Sequence, residues 1–425
     1  MSDQQQGTAS SWWRRLGAGF VTGAADDDPS GVATYSQVGA RFGFSLLWVV
    51  FLTVPLMIAI QMVSARIGRV TGRGLADNLM KTFPKPAVWA LIALLIIANT
   101  INIGADLAAM GAGMKLLVGG SSLLYALVFA ALSTALQVFL SFDRYAPVLK
   151  VMALTLFTYV ATVFVIHVPW ESALKAIAMP ALQWHASYLT AIVAVLGTTI
   201  SPYLFCWQAA QEVEEVRQIK ERKPLRHARY QGEDALRRIA MDTSVGMVFS
   251  NVIAFFMILT TAAVLHTHGK TDIQSASDAA QALKPLAGPL AFALFAAGIV
   301  STGLLAVPVL AGSTAFAVAG AAHAPYGLNL RLSNAKVFYA VLVGSMVVGA
   351  ALTASPIDPM KALYWSAVVN GVCAVPLMAA MMWVARQRTT MGKFMVGGHL
   401  WFWGWAATLV MGAAAVIMFA TLGHG

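Results

Sequence analysis

The chain has 425 residues, of which 59% are hydrophobic and only 11% carry a charge. A soluble domain has about 25% charged residues, so this composition excludes the soluble classes and indicates an integral membrane protein. The formal net charge of +10 does not by itself indicate a nucleic-acid partner, because the position of the charges along the chain explains it better. We therefore expect a lipid bilayer around the protein and no nucleic acid among its partners.

Eleven apolar segments are long enough to cross a membrane, at about 20 residues per crossing. They are 16–39, 45–69, 87–114, 121–140, 147–167, 187–211, 239–265, 286–321, 334–353, 362–385 and 400–421. The first 15 residues contain no apolar core, so we interpret 1–15 as a cytoplasmic segment rather than a signal peptide.

Lys and Arg are distributed unevenly between the two sides of this topology. With the N-terminus in the cytoplasm, 22 of the 28 basic residues fall on the cytoplasmic side, and the longest basic stretch is 217–238. This bias is the positive-inside pattern, so the basic surplus reflects orientation. We predict a multi-pass protein of the inner (plasma) membrane with a cytoplasmic N-terminus.

The first span contains three consecutive acids in the sequence DDDPSG, Asp26 to Gly31. Each carboxylate at membrane depth costs about 2.5–3.5 kcal/mol on insertion scales, and such groups mark ion or proton pathways. Pro29 removes a backbone donor and Gly31 weakens the helix, so the span should break beside the acids. A broken backbone persists at this depth only where protein buries it or where it lines a cavity, which predicts a cation site in mid-membrane.

The sixth span is interrupted in the same way, by the sequence GTTISPY of Gly197 to Tyr203. The first and sixth spans each begin a set of five, so 16–167 and 187–385 are predicted to form two inverted repeats, followed by an additional helix at 400–421. Paired Gly/Pro-interrupted spans at matching places are the best sequence pointer to a transporter's site. The helix breaks are assigned to Pro29, Ser30, Gly197 and Pro202.

Several polar residues in the apolar spans are candidate ligands, and each has a structural alternative. Asp28 could instead cap the second half of its helix. Asp26 and Asp27 should point about 100° apart, so that one faces the cavity and the other an access path or a neighbouring helix. Pro202 should free the Thr198 carbonyl, whereas the Ser201 hydroxyl could bond back to its own helix. The predicted metal site comprises Asp28, Thr198, Ser201, Asp26, Asp27, Gly31 and Asn370, the last of which could instead join two helices.

Three sequence segments resemble motifs of the NRAMP family of divalent-metal transporters. After DPSG, the sequence YSQVGARFGFSLLW of Tyr35 to Trp48 resembles the family's DPGN-x-ATD-x-QAGA-x-FGYSLLW. GADLA at Gly104 to Ala108 is similar to TDLAE, and GIVST at Gly298 to Thr302 to GQSST. The resemblance covers most of the chain. It implies an all-α, LeuT-type 5+5 inverted-repeat fold with broken helices 1 and 6.

The chain departs from the family's motifs at positions that the resemblance assigns to the metal. The family binds metal through the aspartate and asparagine of DPGN and the methionine of an MPH motif. Asp28 keeps the aspartate, whereas Gly31 and Ser201 stand at the other two positions. Sulfur favours transition metals, whereas carboxylate, carbonyl, hydroxyl and water suit Mg²⁺ or Ca²⁺. Mg²⁺ binds with several of its waters retained, so Mg²⁺ is the expected ion, and Mn²⁺ and Ca²⁺ are the alternatives. These departures resemble the NRAMP-related magnesium transporter branch.

The residues that the resemblance links to proton movement are also replaced. Tyr203, expected to serve in packing, and Gln208 stand at two family histidines, and Ala109 at the glutamate of TDLAE. Asp106 remains as a possible remnant of a proton path. We therefore expect Mg²⁺ uptake by alternating access without proton coupling. A divalent ion crossing 100 mV gains about 4.6 kcal/mol, so voltage alone would suffice.

The main alternative is a proton-coupled Mn²⁺ or Fe²⁺ transporter, and a Mg²⁺ channel is an alternative of another class. We expect no enzyme activity, since an intramembrane aspartyl protease would need a GxGD sequence that this chain lacks. Neither a cofactor nor an obligate protein partner is indicated by the sequence.

Overall fold

The computed structural model describes residues 18–140, 157–164, 166–271, 273, 276–356 and 358–422. All regular elements among these residues are helical, which confirms the predicted all-α class. The α-helices are α1 Ala18–Asp26, α2 Pro29–Phe42, α3 Leu47–Thr71, α4 Leu75–Thr82, α5 Lys85–Val118, α6 Ser122–Phe139, α7 Phe157–Val163, α8 Trp170–Ala178, α9 Ala186–Thr199, α10 Pro202–Gln218, α11 Gly232–Val264, α12 Ala276–Ala321, α13 Lys336–Leu352, α14 Pro359–Arg386, α15 Arg388–Met391 and α16 Gly398–Leu422.

Eight helical segments of the described residues are long and apolar enough to cross a membrane, and the shorter apolar helix α13 adds another. Some of these segments join elements that we treat separately, such as α2 with α3 and α9 with α10. Ten of the eleven predicted spans coincide with helices. The fifth, 147–167, lies largely outside the described residues, as does the predicted cytoplasmic segment 1–15.

Both predicted helix breaks are present. The first span divides into α1 and α2 at Asp27 and Asp28, and the sixth divides into α9 and α10 at Ile200 and Ser201. A proline occupies the first position of each second half, where its missing N–H costs no helical hydrogen bond and its fixed φ suits the first turn. The prolines therefore begin the second half-helices.

The two broken spans pack against each other's repeat. The first span lies on α11 so closely that a Cβ placed on Gly23 would stand 2.2 Å from the Gly246 carbonyl oxygen. The sixth span lies on α3, where a Cβ on Gly68 would stand 2.3 Å from the Ala209 carbonyl oxygen. The first span thus packs on the seventh, and the sixth span packs on the second. Such reciprocal packing is expected of two inverted repeats. The repeat limits, 16–167 and 187–385, and the separate role of 400–421 stay predictions.

Candidate cation site

Asp28 lies between α1 and α2 and caps the second of these helices. Its backbone is extended, with φ −70° and ψ 172°, and its Oδ1 accepts from the Gly31 N–H at 2.8 Å and the Ser30 hydroxyl at 2.5 Å. Its other oxygen, Oδ2, lies 3.3 Å from the hydroxyl of Tyr203. Asp28 therefore caps α2, which is the alternative that the sequence offered for it. These hydrogen bonds hold its buried carboxylate at the break.

Asp26 and Asp27 are fully buried and meet the same hydroxyl group. Ser250 of α11 lies 2.6 Å from Asp26 Oδ2 and 3.3 Å from Asp27 Oδ1. The expectation that the two acids point to different sides was wrong, because α1 ends at Asp26 and helical spacing does not extend to Asp27. Asp26 Oδ1 and Asp27 Oδ2 have no hydrogen-bond partner among the described residues. Each of these oxygens is thus available to a cation or a water molecule.

The three adjacent carboxylates do not converge on one point. Within the described part of the chain, no group of three or more His, Cys, Asp or Glu side chains is arranged to hold a metal ion. A cation at this break would therefore need carbonyl, hydroxyl or water oxygens in addition to a carboxylate. The second break supplies such groups.

Thr198 brings the second break to the first. Its Oγ1 lies 3.4 Å from the Ser30 hydroxyl, and a Cβ placed on Gly31 would stand 3.2 Å from it. Ser201 behaves differently, since its hydroxyl donates to the Gly197 carbonyl at 2.8 Å and to the Thr198 carbonyl at 3.0 Å. The structure therefore places Thr198 at the site and shows the Ser201 hydroxyl bonded back to its own helix.

Gly197 and Asn370 lie where α9 crosses α14. Gly197 was assigned to the break, but it lies inside α9, which continues to Thr199. A Cβ at Gly197 would stand 2.0 Å from the Ala367 carbonyl oxygen, so this glycine serves close helix packing. Asn370 is fully buried, and neither of its amide atoms has a hydrogen-bond partner in the described structure. The helix–helix bond considered for Asn370 is thus not formed with a described residue.

Three residues near the breaks were missed or misjudged from the sequence. Tyr203, expected only to pack, donates to the Ala25 carbonyl at 3.1 Å and also reaches Asp28. Ser250 holds the two other acids. Gln61 of α3 is fully buried and its amide has no partner among the described residues. It lies one turn before Ser64, which donates to the Phe205 carbonyl of α10. The sequence offers one indication for Ser250 and Gln61, which is that each is a polar residue within an apolar span.

Asp106 begins a row of buried polar residues on one face of α5. Neither of its carboxylate oxygens has a hydrogen-bond partner in the described residues, and the same is true of the Asn102 amide one turn away. One further turn along, Asn99 donates to Ser313 Oγ at 2.9 Å and Thr314 Oγ1 at 2.8 Å on α12. The hydroxyl groups that accept from Asn99 are thus neutral, and Asp106 is the one acidic side chain among Asp106, Asn102 and Asn99.

The end of α1 away from the acids is held by side chains from two other helices. Asp242 of α11 accepts from the Gly19 N–H at 2.7 Å and the Phe20 N–H at 3.3 Å, which caps the helix. Thr22 donates to Gln208 of α10 at 2.5 Å. Because Asp26, Asp27 and Asp28 are also at most 1% exposed, the site is closed to bulk water in this conformation.

A second group of contacts joins the end of α10 to two connecting segments. Tyr326 follows α12, and its hydroxyl donates to Asp77 of α4 at 2.6 Å. Arg217 of α10 donates to the Tyr326 carbonyl at 2.8 Å, and its guanidinium lies 4.9 Å from the centre of the tyrosine ring. Burial and the neighbouring Asp77 raise the pKa of Tyr326, so its hydroxyl remains a donor at neutral pH. These contacts tie α4, α10 and the segment after α12 together at the end predicted to be cytoplasmic.

A chain whose described elements are all helical, and whose two broken spans meet around buried acids, belongs to the broken-helix class of multi-pass membrane proteins. Residues 19–421 match the family model described as natural resistance-associated macrophage protein-like, Nramp. Since this match covers nearly the whole chain, the protein belongs to the Nramp family.

A named relative agrees with this assignment, and two solved structures share the fold. The chain is 29% identical over 392 residues to the divalent metal cation transporter MntH of Pectobacterium carotovorum, covering 90% of this chain and 88% of the relative. The Eremococcus coleocola manganese transporter has the same fold, with a TM-score of 0.77, 17% identity and coverage of 96% and 87%. Mhp1, a nucleobase-cation-symport-1 family transporter, aligns with a TM-score of 0.59, 14% identity and coverage of 96% and 93%.

Proposed function

We propose that this protein carries divalent metal cations across the inner (plasma) membrane by alternating access, with its N-terminus in the cytoplasm. The observation that carries the proposal is the meeting of the two breaks around Asp28, where Ser30 and Thr198 approach within 3.4 Å. A relative named as a divalent metal cation transporter supports the substrate class. The bias of Lys and Arg supports the orientation.

Mg²⁺ is the ion that we propose, as in the magnesium-transporting branch of the family. The groups that meet at the breaks are a carboxylate from Asp28 and hydroxyls from Ser30 and Thr198. Oxygen donors of this kind suit a hard cation. Gly31 and Ser201 leave more room than longer side chains would, which suits an ion that retains waters. Asp28, Asp26, Asp27, Thr198 and Asn370 would contribute to this site directly or through water.

A second candidate, proton-coupled Mn²⁺ or Fe²⁺ transport, has specific support of its own. A solved structure of the same fold is named a manganese transporter. The sulfur of Met110 also lies near the first break, since a Cβ placed on Gly303 would stand 2.3 Å from this sulfur and 3.3 Å from the Pro29 ring. These two observations favour Mn²⁺ or Fe²⁺ in place of Mg²⁺ as the transported ion.

We propose further that transport proceeds without proton coupling and without a partner protein. Tyr203 and Gln208 occupy the positions of two family histidines, and both are engaged in hydrogen bonds with the first span. The row that begins at Asp106 continues through amides and hydroxyls, which do not titrate near neutral pH. A buried site between broken helices also favours a carrier over a channel.

Flux into liposomes that contain only the purified protein tests these statements together. Mg²⁺ and Mn²⁺ uptake would be recorded under an imposed voltage, with a pH indicator inside. Saturable Mg²⁺ uptake without a change in internal pH is the expected result. Mn²⁺ uptake with acidification inside and no Mg²⁺ flux would overturn the magnesium proposal in favour of proton-coupled import. Absence of flux for every divalent ion would overturn the transport proposal itself.

A further inference from the structure

A cleft far along the chain from the two breaks lies where α14 ends and α16 begins. It has a volume of about 450 Å³ and is lined by Met382, Trp383, Arg386, Gln387, Trp401 and Trp405. Three of these six residues are tryptophans. None of the six residues belongs to the cation site, so the cleft is a separate feature of the molecule.

The cleft combines an exposed aromatic wall with a fixed positive charge. Trp383 is 60% exposed and Trp401 is 41% exposed. The guanidinium of Arg386 lies 5.8 Å from the centre of the Trp401 ring, and its Nη1 donates to the Val396 carbonyl at 3.3 Å. A guanidinium has five N–H donors, so this bond leaves donors for an anion. The arginine is thereby held at the rim of an apolar cleft.

The segment between α14 and α16 carries charge of a single sign. No acidic residue follows Asp358, whereas Arg386, Arg388 and Lys393 lie close together in the sequence. Arg388 and Lys393 are exposed in the segment between α14 and α16. The charge of this segment is therefore complementary to an anion.

The location of the cleft selects the kind of anion. On the proposed orientation, the segment between α14 and α16 faces the cytoplasm. Tryptophan is enriched at membrane interfaces, where one part of the ring is apolar and the other is wet. The cytoplasmic leaflet carries anionic lipids, which attract basic residues next to a span. A lipid presents both an acyl chain and a phosphate, which match the two kinds of surface in the cleft.

We propose that this cleft binds an anionic phospholipid of the cytoplasmic leaflet. Arg386 binds its phosphate, assisted by the charges of Arg388 and Lys393, and the acyl chain lies against Trp383 and Trp405. The lipid fills the space between α14 and the last helix. This inference uses the proposed orientation but does not depend on which ion is transported.

Lipid-dependent thermal stability tests the proposal with the intact protein. The melting temperature would be measured in nanodiscs of phosphatidylglycerol and of phosphatidylcholine, for the wild type, Arg386→Gln and Arg386→Lys. Phosphatidylglycerol should raise the melting temperature of the wild type, and Arg386→Gln should lose most of this gain. Arg386→Lys should keep part of it, because lysine retains the charge but not the planar fork. An unchanged melting temperature in phosphatidylcholine shows that the variants fold.

Native mass spectrometry adds a direct measure of binding and a matched control. Replacing one basic residue near the membrane surface should weaken retention of phosphatidylglycerol about fivefold. Lys361→Gln removes a charge from the opposite end of α14 and should leave retention as in the wild type. Equal loss for Lys361→Gln and Arg386→Gln, or equal retention of phosphatidylcholine and phosphatidylglycerol, would overturn the proposal. Displacement of the lipid by inorganic phosphate alone would also overturn it, because it would identify a simple anion site.

Discussion

The two helix breaks have the same backbone plan but different chemistry. In the first, Asp28 caps α2 and receives hydrogen bonds from Gly31 and Ser30, while Asp26 and Asp27 meet Ser250. In the second, Ser201 precedes α10 but its side chain makes no cap, because its hydroxyl donates to the Gly197 carbonyl of α9. Charge is thus concentrated at one break, and the other contributes neutral oxygen atoms.

This asymmetry has a physical consequence for an ion held between the breaks. The N-terminus of a helix carries a partial positive charge that stabilises a nearby carboxylate. Asp28 lies at such an end, so its carboxylate is stabilised by α2 as well as by any bound cation. The first break would then hold the ion through charge, and the second would adjust its coordination and its waters. The following changes separate these two contributions, from the largest expected effect to the smallest.

Replacing Asp28 should have the largest effect on transport. Asp28→Ala removes both the charge and the helix cap, whereas Asp28→Asn removes the charge and keeps a capping side chain. Both variants should abolish ion flux into liposomes, and the alanine variant should in addition lose about 1 kcal/mol of stability. Wild-type flux in Asp28→Asn would show that the carboxylate charge is not needed, and the comparison of the two breaks would fail.

Removing the Ser250 hydroxyl should have the next largest effect. Ser250→Ala takes the donor from Asp26 and Asp27, and hydrogen bonds to charged groups contribute about 1.5–3 kcal/mol. We expect a lower melting temperature and weaker ion binding, measured by isothermal titration. Ser366→Ala is the control, since Ser366 is also buried but donates to the Leu363 carbonyl of its own helix. Equal effects of the two changes would contradict a special role for Ser250.

Adding a side chain at Gly31 should change ion preference more than overall activity. Gly31→Asn places an amide oxygen at the first break and fills space next to Thr198, whose Oγ1 would lie 3.2 Å from the new Cβ. A smaller site disfavours an ion that retains its waters, so the ratio of Mg²⁺ to Mn²⁺ uptake should fall. Gly31→Ala adds volume without the amide and separates the two causes. An unchanged ratio in both variants would argue against a hydrated ion.

Replacing Ser201 should have the smallest effect. Its hydroxyl is already bonded to two carbonyls of its own helix, so Ser201→Ala should alter the KM for Mg²⁺ by less than about twofold, because a hydroxyl satisfied within its helix has little to offer a ligand. Flux titrations on the same liposomes measure this directly. A tenfold rise in KM would instead assign Ser201 to the ion and reduce the difference between the two breaks.

Local features of the sequence predicted the helices and the positions of both breaks. Pro29 and Pro202 interrupt the helix only in their own segments, so both breaks could be predicted without knowledge of the fold. Contacts between distant segments could not be predicted in this way. Ser250 is more than 220 positions from Asp26 and Asp27. The interpretation of Gly197 was wrong for the same reason, since its role depends on α14, which no local pattern reveals.

The contact between Gly23 and Gly246 bears on how the first half-helix moves. Where side chains of two helices interdigitate, one helix can slide on the other only if several side chains change rotamer together. At these two glycines the backbones touch with no side chain between them, whereas the rings of Phe20 and Phe249 pack at the same interface with their centres 5.5 Å apart. The carboxylate of Asp242, which accepts from the Gly19 N–H, also joins α1 to α11 at the start of α1. A side chain added at either glycine would push α1 away from α11, so the position of the first half-helix depends on both residues remaining glycine.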